Sequence, residues 1–182
     1  MKIVILVLLV VLLLCGVACG RGVDNIDRRT VKQLDMSRYL GDWYEIARYD
    51  HPFERGLTEV RTTYSLRDDG LIEVYNRGRH GRKGKMSGIR GKAKTTDQSG
   101  RLRVSFFWIF YSDYNIMELG DDYEWAVIGG RSPKRLWILS RTPQLPAEQL
   151  NRILQKIERR GYTTTPLIYV EHPRLEAGDE RS

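Results

Sequence analysis

The sequence predicts a mainly β protein, an antiparallel barrel or sandwich followed by one helix. Two observations support this fold class. Between about residues 41 and 140, apolar and polar residues alternate in short runs bounded by turn residues, which is typical of antiparallel strands. The spacing then becomes helical, with Leu150, Ile153, Leu154 and Ile157 on one face. The 182 residues suit one domain with a single core once an N-terminal segment is set aside.

That segment, residues 1–18, has the pattern of a signal peptide. Lys2 precedes the apolar run 3–14, and small residues at 16–18 come just before Cys19. The apolar run is shorter than the roughly 20 residues that cross a bilayer, although an uncleaved membrane anchor is the alternative. Both cysteines of the chain, Cys15 and Cys19, lie here. The rest of the chain therefore has neither a disulfide nor a cysteine nucleophile.

Cys19 is the predicted lipidation site. The sequence Ala18-Cys19-Gly20 is similar to the site at which bacterial lipoproteins are cleaved and acylated, although Gly16 stands where leucine is usual. Glycine after the cysteine resembles lipoproteins that are sent to the outer membrane. We expect acyl chains at Cys19, a polar tether over 19–33, a folded domain over 34–172 and a disordered tail over 173–182. The expected location is the bacterial cell envelope, anchored in the outer membrane at its periplasmic face.

Residues 38–40 predict a short turn of helix, and residues 41–48 a first strand. Four alternating strands follow, with a hairpin turn at 68–70. Their predicted inward residues are Val60, Thr62, Tyr64 and Leu66, then Ile72, Val74 and Asn76, then Ile89, Gly91, Ala93 and Thr95, then Leu102, Val104 and Phe106. Several of these residues are small, which predicts a cavity rather than a filled core. The alternatives are that Phe106 fills the gap or that Gly91 marks a bulge.

The later strands, 114–119, 123–130 and 135–140, are apolar on both faces for much of their length. Such a sheet needs a cover on its outside. The helix that follows provides it, with Pro146 at its first position and Gly161 after its end. A short last strand over 167–170 completes the fold.

Two motifs identify a family. The segment 41–48 (GDWYEIAR) is a Gly-x-Trp turn that runs into a strand, and 136–143 (LWILSRTP) belongs with it. The longer segments 41–57 (GDWYEIARYDHPFERGL) and 62–70 (TTYSLRDDG) point to one subgroup. Over about residues 34–170 the chain resembles the lipocalins, and most of all the bacterial outer-membrane lipocalins.

The resemblance implies an eight-stranded up-and-down antiparallel β-barrel around one small apolar ligand, with the helix packed on its wall. It also implies that Trp43, placed by Gly41, plugs the closed end and that Arg141 lies across its ring. The family's middle motif is present only in part, at Asp122 and Tyr123.

The predicted ligand contacts combine this resemblance with strand parity. Trp137 shares parity with Leu139 and Arg141 and so faces inward. Tyr111 and Tyr114 belong to the aromatic run 107–114, which we expect at the mouth, although core packing or a homodimer contact would also explain that run. The full predicted set is Thr62, Tyr64, Val74, Gly91, Ala93, Phe106, Tyr111, Tyr114, Trp137 and Leu139.

The remaining polar residues indicate no chemistry. His51, His80 and His172 are scattered, so we expect surface histidines and no metal site. Glu45 shares a face with Trp43 and needs a partner there, a tyrosine hydroxyl or an arginine. The chain has no Gly-x-Ser-x-Gly elbow and no evident Ser/His/Asp set, so we predict no enzyme and no cofactor.

The formal net charge is +7, and a basic cluster lies within residues 77–94. It comprises Arg77, Arg79, Arg82, Lys83, Lys85, Arg90, Lys92 and Lys94. It either contacts anionic lipid head groups or is an ordinary solvated face.

The sequence thus predicts a lipid-anchored carrier of a fatty acid, a lysophospholipid or a similar amphiphile. The alternatives are an envelope scaffold with a filled barrel and, less favoured, a lipid enzyme. Export to the envelope argues against a nucleic-acid partner.

Overall fold

The computed structural model describes residues 25–81 and 83–173. The predicted signal peptide, Cys19, Arg82 and residues 174–182 of the predicted tail lie outside the described residues. None of the helices in the described part is long and apolar enough to cross a membrane.

The described residues form nine strands and two helices. They are α1 (Met36–Tyr39), β1 (Gly41–Arg48), β2 (Leu57–Leu66), β3 (Ile72–His80), β4 (Met86–Thr95), β5 (Arg101–Phe107), β6 (Phe110–Leu119), β7 (Trp125–Gly129), β8 (Leu136–Ser140), α2 (Ala147–Arg159) and β9 (Ile168–Tyr169). Each of β1 to β7 pairs antiparallel with the strand that follows it in the chain, and β8 pairs with β1. The ring is therefore closed, and the predicted eight-stranded barrel is confirmed.

β1 changes partner along its length. Its first half, from Gly41 to Tyr44, pairs with β2. A bulge between Glu45 and Ala47 follows, and the last two residues of β1 pair with β9 outside the ring. A bulge bends a strand and increases its twist, and here it accompanies the point at which β1 exchanges β2 for β9.

The apolar residues form two layers that share the barrel wall. The inner layer fills the barrel toward one end and includes Trp43, Ile116 and Ile128. The outer layer lies between β6–β8 and α2, where Ile153 and Ile157 are fully buried. Strands that are apolar on both faces are thus covered by an amphipathic helix, as the sequence predicts. The helix begins at Ala147, one residue later than predicted, with Pro146 as its N-cap.

Three residues predicted to face the interior are exposed. Leu66 is 66% exposed, Ile89 is 39% exposed, and Thr95 is exposed as well. Leu66 and Thr95 are the last residues of their strands. Alternation assigns a face, but it does not say where along a strand the core ends.

The outer layer generates a stability prediction. Ile157→Ala removes a fully buried side chain beneath α2 and should lower the free energy of unfolding by about 2–4 kcal/mol in urea denaturation. The same change at Ile109, which is 72% exposed, should cost less than about 1 kcal/mol. Equal losses would show that the helix does not contribute to the cooperative core.

Candidate functional site

One end of the barrel is closed by Trp43 and Arg141. Trp43 is fully buried, and its indole nitrogen donates to the carbonyl oxygen of Tyr39 at 2.8 Å. The Arg141 guanidinium carbon lies 3.8 Å from the centre of the Trp43 ring. A cation over an indole face is stabilising by about 0.5–2 kcal/mol. This is the arrangement that the resemblance implies for these two residues.

The same guanidinium joins three segments of the chain at this end. It donates to the carbonyl oxygens of Asp42 at 2.8 Å, Arg38 at 2.7 Å and Tyr123 at 3.3 Å. Gly41, the first residue of β1, has φ of +93°, a conformation that other residues rarely adopt. The closed end is therefore a structural seal, remote from the mouth.

The other end opens into a cavity of about 460 Å³. This volume falls within the range of small-molecule sites, about 300–1,000 Å³. Seven of the ten predicted ligand residues line it: Thr62, Tyr64, Val74, Phe106, Tyr114, Trp137 and Leu139. They come from β2, β3, β5, β6 and β8, so the closed ring brings them together.

The other three predicted residues do not line the cavity. Tyr111 lies on the outer face, where the Lys94 ammonium is 4.9 Å from its ring centre. Residues three apart on a strand point to opposite sides, so Tyr111 and Tyr114 do not share a face. The space beside Gly91 is taken by the Phe106 ring, since a Cβ there would lie 2.7 Å from Phe106 Cδ1. Ala93 is fully buried in the inner core.

Three tyrosine hydroxyls meet deep in the barrel. The Tyr114 hydroxyl lies 2.7 Å from that of Tyr39 and 2.7 Å from that of Tyr64. Burial raises the pKa of each phenol, so all three are neutral. The three hydroxyl groups carry three protons but form only two hydrogen bonds with one another. One O–H is therefore free to donate to another acceptor. Because Tyr64 and Tyr114 line the cavity, its inner part is not purely apolar.

A buried carboxylate near the mouth was not predicted. Glu54, in the loop between β1 and β2, is only 7% exposed. Its carboxylate accepts from Asn76 Nδ2 at 2.7 Å and Trp137 Nε1 at 3.0 Å, and His51 Nε2 lies 2.7 Å away. Burial alone would raise the pKa of Glu54, but His51, Trp137 and Asn76 outweigh it and hold the pKa below its usual value. The loop is thereby fastened to β3 and β8.

Glu45 is the second buried acid of the cavity, and its partner is an arginine, one of the two predicted. Arg48 Nη1 lies 2.6 Å from Glu45 Oε1, and both side chains are almost fully buried. Arg48 Nη2 also donates to the carbonyl oxygen of Glu54 at 2.5 Å. Burial and the nearby Glu54 charge raise the pKa of Glu45 well above its usual value, against the opposing effect of Arg48.

The histidines are not all surface residues. His51 is enclosed at the cavity, with its side chain 11% exposed, and Nδ1 has no hydrogen-bond partner among residues 25–81 and 83–173. His172 Nε2 lies 2.8 Å from the carbonyl oxygen of Glu45, and burial lowers the pKa of its imidazole. His80 is exposed at the cavity mouth, 3.1 Å from Ser87 Oγ. Across the part of the chain that the structure describes, no group of three His, Cys, Asp or Glu residues is placed to hold a metal ion.

The basic cluster is mostly an outer strand face. Arg90 lies over the Tyr75 ring at 4.1 Å and pairs with Glu73. Arg79 pairs with Glu59 at 2.8 Å. Part of the cluster is thus neutralised along the strands, whereas Lys83 and Lys85 extend from the loop between β3 and β4.

A hollow antiparallel barrel of eight strands, sealed at one end, is the architecture of barrels that enclose a single small ligand. A family model described as Lipocalin-like domain matches residues 34–172. Outer membrane lipoprotein Blc of Escherichia coli (strain K12) is 43% identical over 159 residues, covering 86% of this chain and 90% of that protein. Outer membrane lipoprotein Blc of Vibrio cholerae is 42% identical over 146 residues, covering 79% and 85%.

Among solved structures, insecticyanin from the tobacco hornworm Manduca sexta has a TM-score of 0.67 at 18% identity, covering 81% of this chain and 85% of that one. The chain belongs to the lipocalin family, which confirms the resemblance seen in the sequence.

The raised pKa of Glu45 generates a pH prediction. Between the usual glutamate pKa of 4.5 and the raised pKa of Glu45, the folded state retains a proton that the unfolded chain has lost. In that range this carboxyl lowers the free energy of unfolding as the pH rises, by at most about 1.4 kcal/mol per pH unit. In urea denaturation from about pH 5 to pH 8, Glu45→Gln should remove that decline, because the amide oxygen still accepts from Arg48. Glu148→Gln, at an exposed helix position, should keep the wild-type slope. An unchanged slope in Glu45→Gln would contradict the raised pKa.

The tyrosine cluster generates a second prediction. Tyr114→Phe leaves two buried hydroxyls without their shared partner and should lower the free energy of unfolding by about 2–4 kcal/mol. Tyr64→Phe breaks one contact, so we expect about 1 kcal/mol. Urea denaturation compares the two, and equal losses would show that Tyr114 is not the centre of the cluster.

Proposed function

We propose that this protein is a lipid-anchored lipocalin that binds a fatty acid, a lysophospholipid or a similar amphiphile and stores or carries it in the bacterial envelope. The cavity carries the proposal: it is closed at its base, open at its mouth and about 460 Å³ in volume. A barrel filled by its own side chains, as the scaffold alternative requires, would not contain such a space.

The apolar lining of the cavity suits an acyl chain. Val74, Val104, Ile128 and Leu139 supply apolar wall. Each buried CH₂ contributes about 0.8 kcal/mol, so a chain of about ten carbons or more gains enough to offset the costs of association. The acyl chain therefore takes the barrel interior.

The mouth suits an anionic head group. Arg135 and His80 are among the residues that line the cavity. The acids Glu45 and Glu54 are already engaged by Arg48, Asn76 and Trp137. A carboxylate or phosphate held at the mouth would contact cationic and hydrogen-bond donor groups. These contacts suit an amphiphile with an anionic head group, and they require no catalytic step.

The envelope location rests on the N-terminus and on the relatives. The two Blc proteins are named outer membrane lipoproteins. We propose that Cys19 is acylated, that the acyl chains hold the barrel at the outer membrane and that the barrel faces the periplasm.

The first test is native mass spectrometry of the barrel expressed from Val23 onward, with palmitate and with a lysophospholipid. Both core layers lie within residues 25–173, so this chain retains the whole fold. We expect a one-to-one adduct with quenched tryptophan fluorescence. Trp137→Ala removes cavity wall and should weaken binding about tenfold.

Tyr111→Ala is the matched control, because Tyr111 lies outside the cavity, and it should bind as the wild type does. No adduct with either lipid would overturn the proposal in favour of the scaffold. Loss of the bound lipid over time, with a changed mass, would indicate an enzyme instead.

A further inference from the structure

The mouth of the barrel carries a group of exposed apolar side chains. They cluster on the hairpin between β5 and β6 and on the neighbouring β1–β2 loop: Phe53, Phe107, Trp108, Ile109 and Phe110, which are 66%, 55%, 88%, 72% and 75% exposed. We call these five residues the aromatic rim. The rings of Phe53 and Phe107 are 5.9 Å apart, so the two loops present one surface. Exposed apolar groups of this kind mark interaction sites.

The tip of the hairpin is built at a conformational cost. Trp108 has φ of +53°, in the left-handed region that glycine occupies in most tight hairpins. A bulky residue in this conformation is strained. A turn would favour glycine at this position, yet it holds the most exposed large apolar residue of the described chain. An interaction of that side chain outside the barrel accounts for the choice.

Positive charge surrounds the aromatic rim. The four loops at the mouth are 49–56, 81–85, 108–109 and 130–135. Within their described residues, Asp50 is the sole exposed acid, and Arg55 pairs with it at 2.7 Å. Four exposed cations have no acidic partner in the described part of the chain: Lys83, Lys85, Arg131 and Lys134.

The opposite end of the barrel has no such arrangement. Its single large exposed apolar residue in the described chain is Leu66, beside the ion pair of Arg67 and Asp69. Apolar tips within a cationic ring thus occur at the mouth alone, at the end where the cavity opens.

We propose that the aromatic rim docks on an anionic lipid bilayer and holds the mouth of the barrel against it. Tryptophan and phenylalanine partition into the boundary between head groups and acyl chains. Basic residues near an anionic surface each strengthen binding about fivefold. Since Arg55 pairs with Asp50, the exposed loops around the rim present net positive charge, which complements a phosphate-rich surface.

Docking goes beyond the proposed carrier function, because it gives the direction in which the mouth faces. The cavity wall is continuous with the rim, since Phe53, Phe107 and Phe110 line both. An acyl chain would pass between bilayer and cavity along apolar side chains, without crossing water. If Cys19 is acylated, the chain from Cys19 to Asn25 spans at most about 20 Å, which keeps the barrel beside the bilayer.

The test uses the full acylated chain in vesicles of phosphatidylcholine and phosphatidylglycerol with bromine on part of the acyl chains. Bromine quenches tryptophan emission at contact distance. We expect stronger quenching in the wild type than in Trp108→Phe, and the difference between them reports rim insertion. Quenching that remains in Trp108→Phe reports brominated lipid at Trp137, inside the cavity. Docking and lipid uptake are therefore measured separately, and either one can fail alone.

Two variants and one control sharpen the result. Ile109→Asp should abolish the quenching that depends on Trp108, whereas Leu66→Asp, at the closed end, should leave it unchanged. Lys83→Ala with Lys85→Ala should lower the ratio of docked to undocked protein about fivefold per charge. Circular dichroism checks that each variant is folded.

Equal quenching in the wild type and Trp108→Phe would overturn the proposal. Tryptophan quenching in Ile109→Asp that equals quenching in the wild type would also overturn it. A homodimer in which the Trp108 hairpins crosslink, without lipid quenching, would assign the aromatic rim to a second copy of the chain and would also overturn it.

Discussion

The pairing of Arg141 with Trp43 determines which end of this barrel is open. One guanidinium covers the indole and also binds backbone carbonyls of α1, β1 and the loop between β6 and β7. Because this end is closed, the side chains of the inner layer pack against it. The opposite end is then left to its four loops, which form a mouth rather than a second plug.

The mouth depends on a different interaction, the buried network of Glu54. Its carboxylate draws the β1–β2 loop onto β3 and β8 through Asn76 and Trp137, and Arg48 holds both the loop backbone and Glu45. Buried charges are costly unless they are paired. This network fixes the loop that carries the rim residue Phe53 and so shapes the entrance. The same interactions therefore hold the cavity wall and the aromatic rim in place.

The change from apolar wall to polar mouth along the cavity matches the two parts of an amphiphile. An acyl chain gains free energy only where apolar wall replaces water, and the barrel supplies that wall away from its mouth. A head group remains solvated only where the wall becomes polar, as it does near Arg135 and His80. The basic and aromatic loops lie at this same boundary, where a bilayer changes from phosphate to hydrocarbon.

The sequence by itself determined the strands, the covering helix and the family, because alternation, helical spacing and short motifs are local properties. Seven of the ten ligand residues that it predicted line the cavity. Tyr111 does not line the cavity, and strand parity already separates it from Tyr114. Gly91 and Ala93 face inward, but Phe106 and the inner core occupy their space. Only the tertiary structure decided these matters, and only it revealed Glu54 and His51 at the cavity, because ring closure brings a loop against strands distant in the chain. Contacts between segments that are distant in the chain leave no periodic pattern in the sequence.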